Sequence, residues 1–493
     1  MAEIKKVPNS KNTKISKSNA PKPVSTLVLK DSFEKLKEHF QVHMHSSVEF
    51  RLNKLSEFRK ALKHYNKEIK EAIYQDFRKS GQETELTEII PIYQEIGEIQ
   101  RNLERWIQPR GVDSPLTLFG THAEILHKPQ GVVLILSSWN FPFQLNLVPM
   151  ISAFSAGNTV LIKPSELTPK SNSIMKKIIQ EVFKPEEVTL LEGPAKLGET
   201  LISFPFDHIF FSGKEQNAKK ILKKKAGTIC PITLELGSKC PAVIDRESDV
   251  RLAAERILWG KILNAGQSCV APDTVYVHES ELKDFQQSFK QSLTNFYRLG
   301  ELSLKENSDY ARIINQKEFN RLESLLNDSL EDGGKILEGG EMDSGSLFFS
   351  PTLIQIQNRN ARIYKEEIQG PILVLYAYKE LDEVIDFLKK DPTPLASYLF
   401  CSNPTTIHKF LANTDSGGVS INDVIIHLAN PNLPFGGLRE SGVRSYHGYY
   451  GFLNFTYQKS VLKQGIFSAI RLLYPPYNPI MDKVSDFMKK FMV

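Results

Sequence analysis

The sequence predicts an α/β protein built on parallel sheets with helices on both faces. Three observations carry that prediction. Runs of strand length recur at 132–136, 159–162, 188–191, 207–211, 232–236 and 242–244. Helical stretches fall between several of them, at 171–183, 195–204 and 214–225. The runs are mostly apolar rather than alternating, as strands buried on both sides are. At 493 residues the chain has room for about two to four domains with large cores.

Taken in order, residues 1–30 hold seven Lys and one Glu, interleaved with Ser, Asn and Pro. This reads as a solvated, disordered basic tail. It lacks the apolar core of a secretory signal, and it lacks the Arg of a transit peptide. Residues 31–110 mix Glu and Lys with Leu, Ile and Phe and read as helical. Residues 112–128 read as short strands around Gly120. The strand–helix alternation follows. A second α/β region runs from 237 to 440, with helices expected at 248–264, 280–298 and 316–331 and strands at 274–278 and 372–376.

Residues 441–493 are richer in Tyr, Phe and Pro. There Ile480, Met481, Val484, Phe487, Met488, Phe491 and Met492 recur at helical spacing, with Asp482, Lys483, Asp486, Lys489 and Lys490 between them. This predicts an amphipathic helix after Tyr474-Pro475-Pro476, too short and too charged to span a bilayer. Such a helix docks on its own subunit or a dimer partner, or makes peripheral contact with a membrane surface.

The net charge of +5 is concentrated in the basic tail. The rest of the chain is near neutral, so no nucleic-acid partner is expected. Cys230, Cys240, Cys269 and Cys401 follow no disulfide or CxxC pattern, which favours a reducing, cytoplasmic setting. His43 and His45 lack further ligands at zinc-site spacing, and no metal is expected.

Five short segments carry chemistry. Asn264-Ala265-Gly266-Gln267-Ser268-Cys269 puts a thiol after a Gly-containing turn whose backbone N–H groups can hold an oxyanion. A lone cysteine is more often a small buried hydrophobe. Thr233-Leu234-Glu235-Leu236-Gly237 sets a carboxylate at the end of an apolar strand, where desolvation raises its pKa toward working pH. An ordinary strand-end Glu is the plainer reading. Ser138-Trp139-Asn140-Phe141-Pro142 follows a strand, and Asn140 is either an oxyanion donor or a turn former. Lys163-Pro164-Ser165-Glu166 also follows a strand and offers groups for ribose hydroxyls. Phe211-Ser212-Gly213-Lys214 leads into a helix N-terminus, an arrangement suited to phosphate, although no GxGxxG fingerprint is present.

Together these segments resemble the aldehyde dehydrogenase superfamily over residues 31–463. Glu366-Glu367-Ile368-Gln369-Gly370-Pro371 and Pro434-Phe435-Gly436-Gly437 match in family order, and Glu235 and Cys269 have the family spacing. Gly417-Gly418-Val419-Ser420-Ile421-Asn422-Asp423 and Ser445-Tyr446-His447-Gly448 look like the class 3 branch, which includes fatty aldehyde dehydrogenases.

The resemblance implies two Rossmann-like α/β domains and a small β oligomerisation arm. The cofactor domain would comprise 31–111 and 129–235, the arm 112–128 and 445–463, and the catalytic domain 236–444, followed by a tail at 464–493. It implies a homodimer that oxidises aldehydes, medium- or long-chain aliphatic or aromatic, with NAD or NADP. Cys269 would be the nucleophile. Asn140 and the Cys269 N–H would form the oxyanion hole, and Glu235 would activate the deacylating water. Lys163 and Glu166 would hold the adenosine ribose, the Ser212-Gly213 turn would face the pyrophosphate, and Glu367 would hold the nicotinamide ribose. Trp139 would lie beside the cofactor. A CoA-acylating or semialdehyde dehydrogenase, or a non-catalytic binding protein with this fold, are the alternatives. Lys214, Ala218, Ser238, Gln369 and Arg444 depart from the family pattern.

Overall fold

The computed structural model describes residues 25–115, 118, 120–298, 303–466, 474–477 and 479–491. Most of the basic tail expected at 1–30 therefore lies outside the described residues. The helical stretch expected at 31–110 divides into the helices Thr26–His43, Val48–His64, Asn66–Phe77 and Ile90–Ile107, with the short helix Gly81–Thr84 between. Ser47 caps the second of these by accepting the Phe50 N–H at 3.1 Å. A π-helical turn, Glu85–Ile89, precedes the last. Such turns bulge a helix and often lie at functional sites.

The first sheet has the order Gly442–Val443, Ile232–Leu236, His208–Gly213, Val132–Leu136, Thr159–Lys163, Val188–Leu190. All neighbours are parallel except the first pair. The order reverses between Val132–Leu136 and His208–Gly213. In open α/β sheets that reversal opens a crevice beyond the carboxyl ends of the strands, where ligands bind.

The second sheet has the order Lys335–Glu338, Thr352–Gln355, Ile372–Tyr378, Pro272–His278, Cys240–Ile244, Ala396–Phe400, Gly418–Ile421, parallel except at its first pair. The run at 242–244, which continues the first series in the sequence, thus belongs to this sheet. The chain crosses from one sheet to the other within three residues, Gly237–Lys239. One apolar core is continuous across both sheets, from Val133 and Phe210 to Ala242 and Val275.

Arg110–Val112, Thr121–Pro129 and Thr456–Gln464 form a separate antiparallel sheet in which Thr456–Gln464 is an outer strand and largely exposed. The C-terminal helix is present as Pro479–Phe491. The side chains of Ile480, Val484, Phe487, Met488 and Phe491, and all of Met492, lie outside the described residues. Among the described residues no helix is long and apolar enough to cross a membrane.

Candidate active site

The helix Val250–Ile262 delivers the chain into a turn at Asn264, Ala265 and Gly266, whose φ angles are 52°, 51° and 74°. Left-handed backbone costs about 1–2 kcal/mol per non-glycine residue, so the turn must be held from outside. The Asn264 N–H donates to Glu83 at 2.5 Å, and its side-chain amide donates to the Asn140 carbonyl at 2.7 Å. Gln267 is buried and fully engaged. It donates to the carbonyls of Asn264 (2.9 Å) and Arg312 (3.0 Å) and accepts the Ile314 N–H (2.9 Å). A side chain at Gly266 would overlap the Gly370 carbonyl. The segment 366–371 therefore packs directly on this turn.

Cys269 follows, just before the strand Pro272–His278. Its Sγ lies 3.5 Å from Oε1 of Glu235, which the strand Ile232–Leu236 carries at the carboxyl edge of the first sheet. The Tyr446 hydroxyl donates to the other carboxylate oxygen, Oε2. Burial pushes the Glu235 carboxyl up to about 7, against the opposing pull of the Tyr446 and Cys269 hydrogen bonds. Burial, then the nearby charges of Glu235 and Glu367, push the Cys269 thiol well above its ordinary value. A carboxylate that exchanges protons near neutrality sits against a thiol that needs a base.

An apolar cavity of about 320 Å³ opens in front of this pair, with Phe141, Leu145, Trp259 and Phe435 in its wall. Asn140 does not line it. Asn140 is buried beyond the strand Val132–Leu136, before the helix Pro142–Ser155, and its Oδ1 has no hydrogen-bond partner among the described residues. The Asn264 bond joins it to the cysteine turn.

The remaining expected residues lie around the switch point and the cleft beside it. Lys163 Nζ pairs with Glu166 at 2.8 Å beyond the strand Thr159–Lys163. The Ser138 N–H donates to Ser212 Oγ at 3.0 Å, tying together the two strand ends that flank the reversal. The buried Ser212 hydroxyl is thus spent inside the fold. Gly213 and Lys214 lead into the helix Glu215–Lys225. Glu367 borders a cleft of about 490 Å³ with Lys214, Gly237, Ser238 and Gln369. A side chain at Gly237 would overlap the Glu367 carboxylate. Burial, then the charge of Asp273, raise the Glu367 carboxyl to about 7. Trp139 borders neither cavity, because its indole stacks on Phe77 at 6.2 Å.

Several residues that shape the site carry no role in the sequence reading, although Tyr446 lies in a segment that resembles the class 3 branch. Tyr446 meets Glu235 across 211 positions. Glu88, buried against Lys79 at 3.2 Å, accepts the N–H groups of Phe143 and Gln144 and so fixes the helix that follows Asn140. Glu95 accepts the Gly448 N–H at 2.8 Å and holds the segment that carries Tyr446. The departures Ser238 and Gln369 also have local work. Ser238 Oγ accepts the Leu395 N–H at 2.6 Å, and Gln369 donates to Glu367 at 3.1 Å.

The model of the aldehyde dehydrogenase family matches residues 27–461. The chain is 38% identical to the 4,4'-diaponeurosporen-aldehyde dehydrogenase of Staphylococcus aureus over 462 residues, covering 94% of this chain and 99% of that one. It is 36% identical to aldehyde dehydrogenase family 3 member A2 of Mus musculus over 444 residues, 90% of each. The substrate-bound structure of Staphylococcus aureus AldH superposes with a TM-score of 0.89 at 37% identity, covering 93% of this chain and 99% of that one.

Proposed function

The chain belongs to the aldehyde dehydrogenase family, and from that premise we propose that it oxidises aldehydes to carboxylic acids through a thioester on Cys269, with NAD or NADP as hydride acceptor. The observation that carries this reading is the Cys269 thiol 3.5 Å from the Glu235 carboxylate at the inner end of an apolar cavity. The apolar wall supports medium- or long-chain aliphatic or aromatic aldehydes.

The residues present fit a dinucleotide. The Lys163–Glu166 pair offers a donor and an acceptor for the adenosine ribose. The Ser212-Gly213 turn before a helix N-terminus stands at the strand reversal, where phosphate binds. Glu367 reaches the second ribose only because Gly237 has no side chain. Two relatives by fold, at about a fifth of identical residues, are described as complexes with NADP and with NAD.

In this reading Glu235 takes the thiol proton, and the Cys269 sulfur attacks the aldehyde carbon. The Asn140 amide and the Cys269 N–H receive the resulting oxyanion. A bound nicotinamide supplies the acceptor for the departing hydride. Glu235 releases the thiol proton to solvent, then draws a proton from the water that cleaves the thioester, and the acid leaves. Retention of Glu235 favours hydrolysis over transfer of the acyl group to CoA.

The outer strand Thr456–Gln464 presents an unpaired edge that supports pairing with a second copy, a homodimer. The helix Pro479–Phe491 is read as a docking element for a partner subunit or a membrane surface. The free thiols of Cys230, Cys240, Cys269 and Cys401 support a reducing, cytoplasmic setting. The direct test measures reduced cofactor formed from a series of aldehydes of increasing length, each with NAD and with NADP. Cys269→Ala should abolish turnover while cofactor binding survives. Substantial turnover by that variant would refute the assignment.

A further inference from the structure

The apolar cavity before Cys269 adjoins a second one. Ile90, Gln94, Ala429 and Pro431 form a wall common to both. The second cavity, about 390 Å³, differs in character, because Arg59 and Arg101 enter its lining together with Tyr93. No Lys or Arg lines the first. A mostly apolar cavity at the nucleophile thus shares a wall with a neighbour that carries two cations.

Both guanidinium groups have capacity for a ligand. Arg59, from the helix Val48–His64, lies over the Tyr93 ring at 5.4 Å and makes no ion pair among the described residues. Arg101, from the helix Ile90–Ile107, pairs with Glu98 at 2.7 Å, yet its side chain is 67% exposed. A guanidinium has five N–H donors, so one carboxylate does not exhaust it. Glu85, the other carboxylate near Tyr93, is taken up by Lys70 at 2.6 Å. On the apolar side, Leu86 and Ile426 line the cavity and are themselves more than half exposed.

A plain alkanal would fill the apolar cavity and leave the arginines without a use. A chain with its aldehyde at Cys269 and an oxyanion at the other end engages both regions, and the planar fork of Arg suits carboxylate and phosphate alike. We propose that this protein prefers aldehydes bearing a carboxylate or phosphate at the end remote from the aldehyde, and that Arg59 and Arg101 are the residues that select it. The inference rests on the reading of Cys269 given above.

The test compares dodecanal, ω-oxododecanoate and ω-oxododecyl phosphate on the full chain, in wild type, in Arg59→Gln/Arg101→Gln and in Arg59→Lys/Arg101→Lys. A parallel titration follows binding of the unreactive diacid dodecanedioate. At low salt the wild type should favour at least one anionic substrate over dodecanal by about tenfold in kcat/KM, equivalent to about 1.4 kcal/mol. That ratio should fall toward unity in the Gln variant and in high salt, and survive in part in the Lys variant. Which arm shows the preference names the anion. A wild-type ratio of one or less for both anions, or a ratio unaltered in the Gln variant, overturns the proposal. If no aldehyde is oxidised but dodecanedioate binds in an arginine-dependent way, the reading of Cys269 fails and the anion site stands. Diacid binding that is equal in wild type and Gln variant removes the anion site, whatever the turnover.

Discussion

Tyr446→Phe isolates a single hydrogen bond on the Glu235 carboxylate, the proposed base. The ring keeps its edge contacts with Phe210 at 4.9 Å and Phe435 at 5.6 Å, while the hydroxyl that donates to Glu235 is lost. A hydrogen bond to a charged group contributes about 1.5–3 kcal/mol, and 1.36 kcal/mol corresponds to one pKa unit. The bond favours the charged form, so its loss moves the Glu235 carboxyl from about 7 to roughly 8–9. At neutral pH the ionised fraction drops from about one half to between about a tenth and a hundredth. The reaction needs the carboxylate, so kcat/KM at neutral pH should fall by about five- to fiftyfold. Most of it should return in alkaline buffer, because the acid limb of the profile has moved rather than the plateau. The assay is kcat/KM against pH with a saturating cofactor. A uniform loss at every pH, with the acid limb unmoved, would refute the reasoning and leave Tyr446 a packing residue.

Four further outcomes follow from the structure. Glu235→Gln should slow the burst of reduced cofactor and slow the steady state more, since the residue serves the thiol first and the deacylating water second; a burst at the wild-type rate would remove the first role, and an unchanged steady state the second. The same variant should be more stable than wild type in mildly alkaline buffer. The folded carboxyl titrates at about 7 against 4.5 in its ordinary state, so stability present at acid pH is lost as pH rises through that range. The gain is at most about 3 kcal/mol by denaturant unfolding and should vanish below about pH 4. Gly237→Ala should displace Glu367 and weaken cofactor binding in a fluorescence titration, whereas an unchanged affinity would remove Glu367 from the cofactor site. Lys79→Ala should cost about 3–5 kcal/mol in chemical denaturation, because it strands the buried Glu88; a loss under 1 kcal/mol would show that Glu88 is neutral in the folded protein.

The parallel strands of the first sheet were legible because burial on both faces leaves mostly apolar runs, whereas its antiparallel edge Gly442–Val443 was not. Several strands of the second sheet were not. Ala396–Phe400 follows two prolines and carries Ser and Tyr, and Thr352–Gln355 is four residues long. The motif residues were legible one by one, but their roles came from family resemblance rather than spacing. Ser212 shows the limit, since its side chain bonds to Ser138 inside the fold while its neighbour forms the turn. Trp139 shows it again, with an indole that packs on Phe77 instead of lining a cleft. Glu83, Glu88 and Glu95 are ordinary in the sequence, and the segment around Tyr446 showed a family likeness but no role. They matter only because distant segments meet, and no local pattern encodes such a meeting.

Cys269 lines the apolar cavity, and the charge of Glu367, which borders the separate cleft, is felt at its thiol. Under the proposed function the aldehyde would come through the apolar cavity, while Glu367 and its neighbours would attend the cofactor in the cleft. Each reactant therefore has its own door, and neither must withdraw for the other to arrive or depart. The finished acid can leave by the way its aldehyde came, past a cofactor still in place. In such a layout the sulfur works as a turnstile between two corridors, and traffic in one need not wait for the other to clear.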